Sequence, residues 1–192
     1  MEPEFREWPK IPRGQNENIT ITEKIDGSNA AIIIDERMND EGVAEYFIAG
    51  VQSRKRLIYP NHVKADADNF AFALWVEENT DDLLSLETGY HYGEWAGPGI
   101  QKNPHGLEKK EFFLFNTHRW NPDNPNKPDC CSVVPQLYHG LKLDDTVDQV
   151  MQDLALHHEL NGTKGEGVIV YYHKSKRYEK YTFETPDGKW SS

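Results

Sequence analysis

The chain has 192 residues, enough to bury one substantial core, and no run approaches the roughly 20 apolar residues that span a bilayer. Acidic residues outnumber basic ones 32 to 21, a formal net charge of −11, which argues against a general nucleic-acid coat and leaves room for a local basic groove. The two cysteines, Cys130 and Cys131, are adjacent, and the opening MEPEFREWPKIPR lacks the apolar run of a signal peptide; a reducing, cytoplasmic setting is therefore the expectation.

Residues 19–25 and 29–34 read as two strands joined at Asp26-Gly27-Ser28, a tight-turn sequence, and residues 44–52 return as a third. Residues 66–79 are expected to be helical, with Phe70, Ala73, Leu74 and Glu77 at the right spacing. Short aromatic strands follow at 91–95 and 111–116, separated by a Gly/Pro-rich loop over 96–107. The stretch NPDNPNKPD, 121–129, is a loop. The clearest helix is 145–160, where Val147, Val150, Met151 and Leu154 recur at i, i+3, i+4 and i+7 and Gly162 supplies a stop. Strands at 168–172 and 178–183 close the pattern. With no repeat or low-complexity linker, the expectation is a single α+β domain over 1–192, mainly antiparallel sheets with flanking helices.

The most informative stretch is Glu23-Lys24-Ile25-Asp26-Gly27-Ser28-Asn29. Alternation puts Thr20, Thr22 and Lys24 on one face of a strand and Ile19, Ile21 and Ile25 on the other. An amine at that strand end acts as a nucleophile if its surroundings favour the neutral form. Gly27 lets backbone approach a ligand, while Asp26 and Asn29 can orient the site or bind a hydrated cation. On these residues alone a solvated lysine before an ordinary Asp-Gly turn is the commoner case.

K-x-D-G at Lys24 resembles motif I of the lysine-adenylating ligases and capping enzymes, and segments similar to that family's other motifs follow in order. Tyr92-Gly93-Glu94-Trp95 looks like motif III and Phe112-Phe113-Leu114-Phe115-Asn116 like motif IIIa. Glu166-Gly167-Val168-Ile169-Val170 is similar to motif IV, and the strand containing Lys180, just before Tyr181-Thr182-Phe183-Glu184, lies where motif V belongs. The nearest likeness is to RNA ligases related to the double-strand-sealing ligase of T-even phages. It rests on Asn29 after K-x-D-G-S, on Ser53-Arg54, and on the loop from Gly93 to Gln101.

The resemblance implies a nucleotidyltransferase (ATP-grasp-like) fold, with ATP and Mg2+ or Mn2+ as cofactors. Lys24 would take up AMP, AMP would pass to a 5′-phosphate RNA end, and a 3′-hydroxyl would complete the join. Glu23, Asn29, Arg54, Glu94, Phe115 and Lys180 would help bind the nucleotide: Glu94 at a ribose hydroxyl, Phe115 on adenine, Arg54 at phosphate. Glu166 would hold the metal, with Asn29 acting through water and Asp26 as a weaker ligand. Motif V departs from the family pattern, since Tyr178 stands where a second lysine is usual and Lys176 is the available substitute. Little chain follows motif V, so neither an OB domain nor a helical C-terminal domain is expected. That leaves complete three-step joining open and admits a separate substrate-binding protein. A monomer with no membrane association, in a bacterial cell or a phage-infected host, fits these features. The alternatives are a DNA ligase core, a capping-type guanylyltransferase and a non-catalytic binding module that keeps the fold.

Overall fold

The computed structural model describes residues 17–121 and 123–183; the leader reading of the first residues and Glu184 lie outside them. Along the chain run β1 (Asn18–Glu23), β2 (Gly27–Met38), β3 (Ala44–Ser53), β4 (Leu57–Ile58), α1 (Phe72–Glu78) and α2 (Thr80–Leu83). They are followed by β5 (Gly89–Ala96), β6 (Glu111–Leu114), β7 (Cys131–Val133), β8 (Gln136–Leu141), α3 (Thr146–Leu160), β9 (Gly167–Tyr172) and β10 (Arg177–Thr182).

The expected hairpin at Asp26-Gly27-Ser28 does not form. β1 joins a four-stranded sheet in the order β10-β9-β1-β8, whereas β2 joins a six-stranded sheet in the order β4-β3-β2-β5-β6-β7. Among the described residues every pairing is antiparallel except β6 with β7, so the α+β class with mainly antiparallel sheets is borne out. The physical reason for the missed hairpin lies in the partners. β1 is already flanked on both edges, by β8 and β9, and β2 by β3 and β5, so neither has an edge left for the other. Residues 24–26 are therefore a crossing between two sheets.

Each sheet carries its own core. Ile19 and Ile21 of β1 and Val168 and Val170 of β9 are fully buried against Val147, Met151 and Leu154 of α3, as the helical spacing predicts. Each such side chain contributes about 1.5–3 kcal/mol relative to exposure. The larger sheet packs Ala30, Ile32, Ile34, Trp95, Phe112 and Leu114 against Phe72, Ala73 and Val76. Ile25, expected beside Ile19 and Ile21, instead joins Ala96, Phe113 and Val134 in a small cluster, because the chain has already left the first sheet there. The helix expected over 66–79 begins later, at Phe72. Phe70 and Ala71 are left-handed (φ 53° and 64°), and the Asp68 carboxylate accepts the first-turn N–H groups of Ala73 and Leu74 at 2.8 and 3.1 Å. The Phe70 carbonyl accepts the Trp95 indole N–H at 3.1 Å, which turns Phe70 away from a helical conformation.

Candidate active site

The pleat places Lys24 on the face of the smaller sheet opposite α3. Its backbone N–H donates to the Gly167 carbonyl at 2.8 Å, and that of Glu23 donates to the Pro135 carbonyl at 2.9 Å, so the ladders on both sides hold this strand end. Beyond Asp26 the chain enters β2 pressed hard against β5. A Cβ on Gly27 would lie 2.4 Å from the Trp95 carbonyl oxygen and 2.9 Å from Glu94 Cγ. The glycine of K-x-D-G is thus required by close packing of β2 on β5 rather than by a hairpin turn.

Four charged groups from distant parts of the chain meet at this crossing. Lys24 Nζ pairs with Glu166 Oε1, with the two side chains 23% and 29% exposed. Glu166 Oε2 is buried without a hydrogen-bond partner among the described residues. Register pairs Asn29 with Glu94 across β2 and β5, and Asn29 Nδ2 donates to Glu94 Oε2 at 2.5 Å. Burial pushes the Glu94 carboxyl up to about 7, against the Asn29 hydrogen bond and the Lys24 cation, with the Glu166 and Asp26 charges adding to the rise. Asp26 Oδ2 accepts the Lys102 backbone N–H at 3.1 Å, tying the 96–107 loop to the crossing.

Beside this group a cavity of about 490 Å³ is lined by Gly27, Ser28, Asn29, Arg54, Asn69 and Glu94 among others. Arg54 and Lys55 are exposed at its rim. Arg56 is committed elsewhere, donating to the Ala67 carbonyl at 2.7 Å and the Asp68 carbonyl at 3.4 Å. Asn69, which sequence reasoning assigned to a helix, donates to Ser28 Oγ at 2.7 Å and so braces the residue after Gly27. Its only signal was a polar residue just ahead of an apolar helix.

Of the motif IIIa rings, Phe112 is in the core and Phe113 is 8% exposed against Ile25 and Ala96. Phe115 is 42% exposed and hydrogen-bonds through its N–H to the Tyr92 carbonyl at 3.0 Å. Phe115, the ring that the resemblance sets on adenine, is therefore the accessible one of the three. On the smaller sheet, Lys180 pairs with Ile169, which pairs with Thr22; Thr182 pairs with Gly167 beside Lys24. Lys180 thus shares the Lys24 face, one two-residue step along the strand (roughly 7 Å) and two strands across (roughly 10 Å). Lys176, the substitute that the sequence offered for a second lysine, is placed at the far end of the sheet. It lies in the β9–β10 turn, six residues and roughly 20 Å along the strand from Thr182, with Nζ 5.9 Å from the Tyr171 ring.

Glu23 is also placed differently from expectation. Its side chain points to the α3 side, where Oε1 lies 3.0 Å from His105 Nε2 and 3.1 Å from His158 Nε2, all three side chains at least nine-tenths buried. Neither histidine was legible as a site residue, because one sits in a Gly/Pro-rich loop and the other at a helix end that favours basic residues anyway.

A family model for RNA ligase matches residues 17–184. Among curated proteins no match is found. Among solved structures the chain is similar to the RNA ligase of Naegleria gruberi. The form with PPi is 22% identical, with a TM-score of 0.53, covering 86% of this chain and 49% of that one. A mutant of the same enzyme with ATP and Mn is 20% identical, TM-score 0.56, covering 86% and 50%; another, with AMP and Mn, is 20% identical, TM-score 0.52, covering 86% and 49%. These likenesses establish a shared fold, and the chain spans about half the length of the structures it matches.

Proposed function

The chain belongs to the RNA ligase family, and from that premise we propose that it uses ATP to join RNA ends through a covalent lysyl-AMP on Lys24. The observation that carries this reading is the crossing itself. An amine at the junction of two sheets faces a groove in which carboxylates from β5 and from the residue just before β9 converge on it. The finer assignment, to the ligases related to the double-strand-sealing enzyme of T-even phages, is supported by Asn29, Ser53-Arg54 and the loop from Gly93 to Gln101.

In the proposed first step Lys24 Nζ attacks the α-phosphorus of ATP. The N–P bond forms as the bond to the bridging oxygen breaks, and pyrophosphate leaves. An amine attacks only as the neutral base, so the ion pair with Glu166 has to open and the ammonium has to pass its proton to solvent first. Glu94 accepts a ribose hydroxyl, Phe115 stacks on the base, and Arg54 and Lys180 meet phosphate oxygens. AMP then passes to a 5′-phosphate, and a 3′-hydroxyl attacks that end and releases AMP.

The solved relatives carry Mn with ATP or AMP, and the residues here fit a hard divalent cation. Glu166 Oε2 is an oxygen donor without another partner among the described residues; Asp26 lies in the chain crossing and Asn29, at the start of β2, hydrogen-bonds Glu94. Held there, such an ion would supply charge neutralisation on the phosphates.

The test is incubation with ATP or GTP labelled at the α-phosphate, with Mg2+ or Mn2+, followed by denaturing electrophoresis. An acid-labile label from ATP that is absent in Lys24→Ala is the expected result, and no label from either nucleotide would sink the proposal. Label from GTP alone would point to the capping-type reading. Nicked duplexes with RNA or DNA at the join then separate an RNA ligase from a DNA ligase core.

A further inference from the structure

Directly behind the nucleophile lies a second cluster for which lysine adenylation has no use. Glu23 ends β1, His105 comes from the 96–107 loop, and His158 comes from the last turn of α3. Their side chains are 9%, 9% and 7% exposed. One carboxylate oxygen and a ring nitrogen from each histidine gather within 4.8 Å of one another, and among the described residues this is the only such group of histidine, cysteine and carboxylate donors.

The cluster is badly served by hydrogen bonding. Both Nε2 atoms come within 3.1 Å of Glu23 Oε1, yet neither bond is aligned: His105 Nδ1, His105 Nε2 and His158 Nε2 are all buried without a hydrogen-bond partner among the described residues. Buried polar nitrogens left in this way are costly unless something else engages them. The His158 ring is held from its far side, where Nδ1 lies 2.7 Å from Thr163 Oγ1. A neighbour of this kind orients a ligating imidazole. The spacings suit a small cation. A tetrahedral zinc ion with bonds of about 2.0–2.1 Å sets its ligand atoms about 3.3 Å apart, and the two observed N···O distances are 3.0 and 3.1 Å.

We propose that Glu23, His105 and His158 form a zinc-type metal site behind the adenylation groove. Two imidazoles and one carboxylate favour Zn2+ over the hard, oxygen-loving cations suited to the groove. The ion would tie together the end of β1, which carries Lys24, the loop that hydrogen-bonds Asp26, and the end of α3, which leads into Gly165-Glu166. Its role would be to position Lys24 and Glu166 from outside the reaction.

The test is direct titration of the purified, metal-stripped protein with Zn2+, with bound metal measured after gel filtration. We expect one Zn2+ per chain, unchanged in Lys24→Ala and Glu166→Gln, and at least about 100-fold weaker in the His105→Ala/His158→Ala double variant. Because that variant can fail to fold, the unaltered protein is also titrated with Co2+, whose visible absorption reports nitrogen and oxygen ligation and should disappear on adding Zn2+. No stoichiometric Zn2+ on the unaltered protein would overturn the site, leaving a proton-sharing network. Binding abolished by Glu166→Gln would also overturn it by locating the ion in the groove. The outcome is independent of the proposed activity: a chain that binds Zn2+ but takes no label from ATP would retain this site and lose only that function.

Discussion

The two faces of the chain at Glu23-Lys24 are one residue apart and chemically opposite. On the groove side Lys24, Glu166, Asn29 and Glu94 form a charged, partly open group with one carboxylate oxygen unclaimed. On the α3 side Glu23, His105 and His158 form a closed group with ring nitrogens unclaimed. The pleat alone separates them, since successive residues of a strand point to opposite faces. The lesson is that a strand end can present a lysine to one compartment and a carboxylate to another, provided the chain crosses between sheets at that point.

The largest expected effect lies on the groove side. On the proposed function, Glu166→Gln should slow formation of the labelled adduct by about 10²–10³-fold, because it removes the carboxylate that pairs with Lys24. Adduct formation at the normal rate, followed over time at several Mg2+ concentrations, would remove Glu166 from the site.

Glu94 gives the next largest effect and tests how dry the groove wall is. Its carboxyl titrates near about 7 in the fold, chiefly through burial, against 4.5 ordinarily. A raised value means that its stabilising contribution is full below about 4.5 and is lost as pH rises through about 7. Glu94→Gln should therefore gain stability relative to the parent between pH 5 and pH 8, by up to about 3 kcal/mol. Denaturant melts at the two pH values measure this, and an unchanged difference would show that the carboxylate is solvated.

Gly165→Ala probes the rear side without touching a charge. A Cβ there would lie 2.1 Å from His158 Nε2, on a backbone at φ 60° that favours glycine. We expect a loss of about 2 kcal/mol in stability, with Zn2+ binding weakened, since His158 has to move. Thermal melts with and without Zn2+ report both effects. The smallest effect belongs to Lys176→Ala, which should change adduct formation by less than about twofold, whereas Lys180→Ala should cost about 10-fold or more. Equal losses in the two variants would show that the register reading of the last strand is wrong.

Much of the fold was legible because its signals are local. The α3 spacing of Val147, Met151 and Leu154, the buried alternation of Ile19 and Ile21, and the aromatic strands around Glu94 and Phe113 each follow from a short stretch of residues. The sequence also determined which chemistry to look for: a lysine, an aspartate and a glycine at fixed spacing, with carboxylates and a lysine in order downstream. Tertiary structure alone decided that Asp26-Gly27 crosses between sheets, because strand partners are chosen by edges far away in the chain. It also decided that Lys176 lies at the far end of the smaller sheet, that Phe115 rather than Phe113 is exposed, and that the face to which Glu23 points carries two histidines. Those outcomes depend on register and on the pleat, which bring residues from β1, a loop and α3 to a single point that no short stretch of sequence contains.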